Sequence, residues 1–166
     1  RFGPEFPASF ADDWMRVGAE EAMHFALLDR RLKALGSGYG ALPAHDGLWE
    51  AAEATAHDAP ARLAIVPMVL EARGLDVTPA MIERFDQVGD GSSARILSRI
   101  MNDEIRHVGF GVKWFEICCE KQNVAPQQQW KALVSRYFAG QLKPPFNDSA
   151  RRQAGLTRDF YLSLAS

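Results

Sequence analysis

No stretch of 18 consecutive apolar residues occurs in the chain, so no membrane-spanning helix is expected. There is no signal peptide pattern. Charge of one sign is also lacking: 19 Lys and Arg stand against 21 Asp and Glu, a formal net charge of −2. That balance gives no electrostatic footprint for nucleic acid or an anionic membrane surface. Cysteine is scarce. The two present, Cys118 and Cys119, are neighbours on an expected helix, where a useful cross-link is implausible, and this suits a reducing cytoplasm. Sustained period-two alternation is absent, which excludes a half-buried sheet and leaves an all-α class. The chain opens at Arg1 without a methionine, which is expected of a fragment or a processed product.

What is present is ordinary for a globular chain: 166 residues, 47% hydrophobic and 24% charged, enough for one domain with a real core. Helical spacing of apolar residues predicts a first helix over about 10–35, capped by Asp12 or Asp13 and ended by Gly36. Its inner stripe is Trp14, Val17, Glu21, His24, Phe25, Leu28, Leu32 and Leu35. A Gly- and Pro-rich loop with His45 follows. A second helical region, about 48–73, contains Asp58-Ala59-Pro60, a cap followed by a first-turn proline, and Pro67, which should kink it. Gly74 is expected to stop this region and Thr78-Pro79 to start a short helix to Val88. Ser92 or Ser93 then caps a long helix to about Lys121. A helix over 127–139 and a last one over 150–165, capped by Asp148 or Ser149, complete the chain. Residues 127–166 thus read as a C-terminal helical extension of the single domain 1–166.

Only four histidines are present, and two of them, His24 and His107, carry a glutamate three residues earlier, Glu21 and Glu104. With ten Glu in 166 residues this coincidence is rare by accident. Three residues apart on a helix, carboxylate and imidazole share one face. Both faces are otherwise greasy: around Glu104 and His107 run Leu97, Ile100, Met101, Val108, Gly111 and Phe115. A buried carboxylate is costly without a partner, and a bound cation removes that cost. The alternative for a single pair is a capped or salt-bridged core residue. Two such pairs point to the ligand set of two-metal carboxylate bundles, in which two further Glu join two Glu-x-x-His helices. Glutamate oxygen and neutral imidazole suit iron or manganese, or a mixed Fe/Mn pair.

Glu71 is the chosen further ligand, on the stripe Ala64, Pro67, Met68; its alternative is a helix-end carboxylate in water. If Gly74 ends that helix, Glu71 and Glu104 sit at depths about 14 Å apart, at 1.5 Å per residue. Glu53 and His57, four apart, are the fallback ligands. Asp103 is a candidate to support a ligand histidine by accepting its second ring N–H. Trp14, Phe25, Trp114 and Phe115 are expected in the core.

The segments Glu20–Phe25, Pro43–Glu50, Arg62–Asp76 and Asp103–Gly111 together resemble an uncharacterised bacterial family, a domain of unknown function, within the ferritin-like di-iron superfamily. The resemblance reaches to about Leu162. It implies a ferritin-like antiparallel bundle, with Glu21/His24, Glu71 and Glu104/His107 on the second, third and fourth ligand helices. It also implies one more ligand helix, before Arg1, which this sequence lacks. The implied function is a di-iron oxidase or oxygenase that activates O₂ and acts on a small molecule or a modified nucleoside. Iron handling or oxidative protection without an organic substrate is the first alternative, and a helical interaction module with a vestigial site the second. Expected partners are O₂ and a small molecule, with a homodimer allowed; neither nucleic acid nor membrane is expected.

Overall fold

The computed structural model describes residues 2–165. Among them the chain is helical, with no strand; Leu142 and Ala165 form a single parallel bridge. A 3₁₀ turn at Gly3–Glu5 precedes α1 (Ala8–Ala34). Then come α2 (Gly47–Ala54), α3 (Ala59–Ile65), a π-helical turn (Val66–Glu71), α4 (Ala72–Gln87) and α5 (Gly91–Gln122). The chain continues through α6 (Pro126–Tyr137), α7 (Asp148–Gln153), α8 (Arg158–Tyr161) and a 3₁₀ turn at Leu162–Leu164. No helix among the described residues is long and apolar enough to cross a membrane.

The contacts divide the chain into two units. The first comprises residues 1–46 and 78–103, the second 47–77 and 104–166, with α4 and α5 each contributing to both. Residues 127–166 therefore belong to the second unit.

In the first unit, α1 starts at Ala8, with Pro7 at its N-cap and no side-chain cap, so neither Asp12 nor Asp13 has the expected role. Gly36 follows its end as expected, with the Ser37 N–H reaching back to the Leu32 carbonyl. Of the anticipated inner stripe only Val17 and His24 are buried; Phe25, Leu28 and Leu35 are exposed. Phe25 meets the Tyr39 ring edge-on at 5.3 Å instead of entering a core. Leu28, Leu32, Met81, Phe85, Ile96 and Leu97 line an open apolar cleft of about 190 Å³. At one end of it, α5 is capped by Asp90, not Ser92 or Ser93: its carboxylate accepts from Ser93 N at 3.0 Å and Ser93 Oγ at 2.6 Å. Arg31 Nη2 donates to the same group at 2.7 Å. Those hydrogen bonds, Arg31's first, hold Asp90 well below the usual carboxylate range.

The second unit holds most of the core, including Leu63, Ile65, Met68, Leu75, Val108, Trp114, Phe115 and Trp130. Asp58 caps α3 as expected, accepting from Ala61 N at 3.0 Å. Pro67 lies inside the π turn, where a simple kink was expected. Gly74 does not stop the helix, and Thr78-Pro79 does not start another: α4 passes through both to Gln87. Proline 79 has no N–H for the carbonyl four residues earlier, that of Leu75. Asn147 Nδ2 donates to that carbonyl instead, at 3.2 Å.

Asn147 also caps α7, accepting from Ala150 N at 3.1 Å, the role anticipated for Asp148 or Ser149. Its own N–H donates to Asp76 Oδ1 at 2.9 Å. Asp76 receives a forked bond from Arg151, Nε at 2.8 Å and Nη2 at 2.6 Å. The Arg151 guanidinium also lies over the Phe146 and Tyr161 rings, at 5.0 and 4.5 Å. The anticipated last helix breaks at Gly155, whose φ of +81° other residues adopt only at a cost, giving α7 and α8.

Candidate metal centre

Three of the anticipated ligands converge in the second unit. Glu71 is at the end of the π turn, and Glu104 and His107 are one turn apart on α5. Each offers one ligand atom, and these atoms lie within 4.8 Å of one another. His107 is fully buried and the two glutamates half-buried. His107 Nδ1 faces Glu104 Oε2 at 3.5 Å. Two donors on one ion at about 2.1 Å stand roughly 3.0 Å apart at a right angle and 3.4 Å apart at a tetrahedral angle. The observed spacing is thus close to that of two ligands turned to a common cation. Two carboxylates and a neutral imidazole match a divalent cation in charge, and an oxygen–nitrogen donor set without sulfur suits iron, manganese or zinc.

The depth conflict over Glu71 shrinks with the longer α4. Counted from the α4–α5 connection, Glu71 stands 16 residues before Gln87 and Glu104 stands 13 residues after Gly91. The 14 Å mismatch falls to about 5 Å.

The other pair sits in the first unit with the same internal geometry. His24 is buried on α1, and its Nδ1 faces the exposed Glu21 carboxylate at 3.4 Å. Its Nε2 lies 3.3 Å from Asp103 Oδ2, within hydrogen-bonding distance. Carboxylates thus flank both ring nitrogens, and a cation held at Nδ1 with Glu21 would leave the ring proton on Nε2, facing Asp103. Asp103 was expected beside a histidine ring, and the ring it meets is that of His24. Burial alone would raise the Asp103 pKa, but hydrogen bonds from Arg99 and His24 outweigh it and hold the group below the usual carboxylate range.

The fallback pair is not assembled. α2 ends at Ala54, so Glu53 and His57 do not share a helix face. Glu53 is exposed, and His57 lies in the following turn with Nε2 3.3 Å from the Tyr137 hydroxyl.

Residues 1–162 match the family described as "Protein of unknown function (DUF455)". The chain belongs to this family. Over 150 residues, 90% of the chain, it is 44% identical to an "Uncharacterized protein" of Haemophilus influenzae. The alignment covers 52% of that protein, so the chain spans about half the length of this curated relative. No solved structure matches the chain.

Two features of this DUF455 chain escaped the sequence reading. Arg99 Nε donates to Asp103 Oδ2 at 2.9 Å and so fixes the carboxylate that fixes His24. The i,i+4 Arg–Asp spacing was the available signal. The other is the π turn that delivers Glu71, for which Pro67 was the only hint.

Proposed function

We propose that this DUF455 chain is a ferritin-like metal-binding protein in which Glu71, Glu104 and His107 hold a redox-active divalent ion, iron or manganese. Glu21 and His24 serve a second ion. The reading is supported above all by the convergence of two half-buried carboxylates and a fully buried imidazole from two separate elements. The activity that fits is an O₂-dependent oxidation of a small molecule.

Bound iron would supply the one-electron steps that O₂ reduction requires. The chain's own contribution is separate. With an ion at His24 Nδ1, Asp103, braced by Arg99, faces the ring proton left on Nε2. His107 itself is fully buried, which limits water around its ring.

The test is anaerobic titration with Fe(II) or Mn(II), read by elemental analysis. Two equivalents per chain are expected. Glu104→Ala and His107→Ala should lose the bound ions, and Glu71→Ala should weaken one ion more than the other. Unchanged metal content in folded Glu104→Ala or His107→Ala refutes the assignment.

A further inference from the structure

The π turn has a cause in Pro67 and a seat on α5. Without an N–H, Pro67 cannot bond to the Leu63 carbonyl, so the α-helical ladder is interrupted there. The Ala72 N–H reaches back five residues to the Pro67 carbonyl, the π spacing. The seat is Gly111, which is buried. A Cβ placed on it would lie 2.6 Å from both Cβ and Cγ of Pro67, and 3.6 Å from Met68 Cγ. Pro67 is itself buried, and its ring is fused to the backbone, so it cannot swing aside as a flexible side chain would.

The register makes this contact matter. Glu71 follows Pro67 by four residues. Glu104 and His107 precede Gly111 by seven and four, so all three lie on one face of α5. The contact of Pro67 with Gly111 and the convergence of Glu71 with Glu104 and His107 are thus successive turns of one helix–helix seam.

We propose that the Pro67–Gly111 contact is the positioning device for Glu71. The missing side chain at 111 lets the proline ring lodge against α5, and the π turn it creates presents the Glu71 carboxylate to Glu104 and His107. This rests on the reading of those three residues as metal ligands. A methyl group at 111 must drive the Pro67 backbone back by about 1 Å to reach ordinary contact. Metal–ligand bonds tolerate only about 0.2 Å. The expected loss in metal affinity is about 10–100-fold, as for other groups that orient ligands.

The experiment compares wild type, Gly111→Ala, Pro67→Ala and the control Gly109→Ala. At Gly109 a Cβ meets only the Ala154 backbone, at 3.6 Å or more. Anaerobic Mn(II) and Co(II) titrations give affinity, and thermal unfolding in EDTA gives the stability of the metal-depleted chain. Gly111→Ala and Pro67→Ala should both bind about 10–100-fold more weakly, while Gly109→Ala binds as wild type does. Pro67→Ala regains an N–H and removes the ring, so its metal-depleted stability is retained or raised; a purely structural role predicts loss of stability with affinity intact. Wild-type affinity in either folded variant overturns the proposal, and Pro67→Ala carries the test if Gly111→Ala fails to fold.

If wild type binds neither ion, the metal reading fails. Crystal structures of the variants then judge the positioning alone. Displacement of the Glu71 carboxylate by about 1 Å supports it, and an unmoved carboxylate overturns it.

Discussion

Replacing Arg151 with methionine should be among the most damaging single changes in the second unit. Arg151 is 1% exposed, and the Asp76 side chain is fully buried. The substitution keeps much of the apolar stem and removes the guanidinium. Asp76 would retain the Asn147 N–H at 2.9 Å and an Arg73 nitrogen at 3.6 Å, but would lose its forked partner. Breaking a buried ion pair from one side costs about 3–5 kcal/mol, because the remaining charge stays desolvated. Against a total stability of about 5–15 kcal/mol that is a large share. For a chain of this size each kcal/mol is worth about 2–4 °C, so Tm should fall by roughly 6–20 °C. The assay is urea unfolding followed by circular dichroism, run as a double-mutant cycle with Asp76→Leu. Asp76→Leu/Arg151→Met should recover most of the loss, leaving about 1–3 kcal/mol for the Asn147 N–H, which then has no acceptor. A cost under about 1 kcal/mol for Arg151→Met, or single-mutant costs that simply add, would refute the reasoning.

The remaining predictions concern protons and caps. Burial, reinforced by Cys118 and Glu116, pushes the Cys119 thiol up to about 11, so a thiol reagent at pH 8 should modify it only on unfolding. Its proton is kept longer by the folded chain than by the unfolded one. Stability should therefore decline as pH rises from about 9 to about 11, read from urea midpoints, and a flat midpoint would contradict this. Asp103 behaves in the opposite sense: its pKa is depressed, so its contribution is present above about 4 and fades as pH drops below that, since the unfolded carboxyl takes its proton first. Asp103→Asn should flatten that part of the acid limb and weaken metal held by His24 about 10–100-fold; an unaltered limb would remove the role assigned to Arg99 and His24. Asn147→Ala removes both the α7 cap and the donor to the Leu75 carbonyl, and should cost about 1–2 kcal/mol by urea unfolding, whereas no change would mean water replaces both.

How much of this could be read beforehand follows from what each signal encodes. Apolar periodicity and the missing strand alternation are local, and they gave the all-helical class and rough boundaries for α1, α5 and α6. The Glu-x-x-His spacing is local too, so both pairs lie on helices with Nδ1 turned to its own glutamate. Gly74 and Pro79 misled because their intrinsic cost argues for a break, while the compensation comes from Asn147, 72 residues beyond Leu75. A period identifies a helix face but not whether anything covers it, which is why Phe25, Leu28 and Leu35 were assigned inward and are exposed. Arg151 was invisible for a related reason: a cation in an amphipathic stretch is ordinarily wet, and only its distant partner Asp76 explains its burial.

The π turn also acts as a clock for everything after it. One additional residue per turn rotates the following stretch of helix by about 100° relative to an uninterrupted ladder. Asp76 lies five residues past that turn, so the direction in which it meets Arg151 and Asn147 is timed by the same extra residue that aims Glu71. Closing the ladder over the same residues, with none removed, would reset both at once. The result would be a chain that is locally a better helix, yet has lost a carboxylate from its histidine cluster and the anchor of its C-terminal segment together.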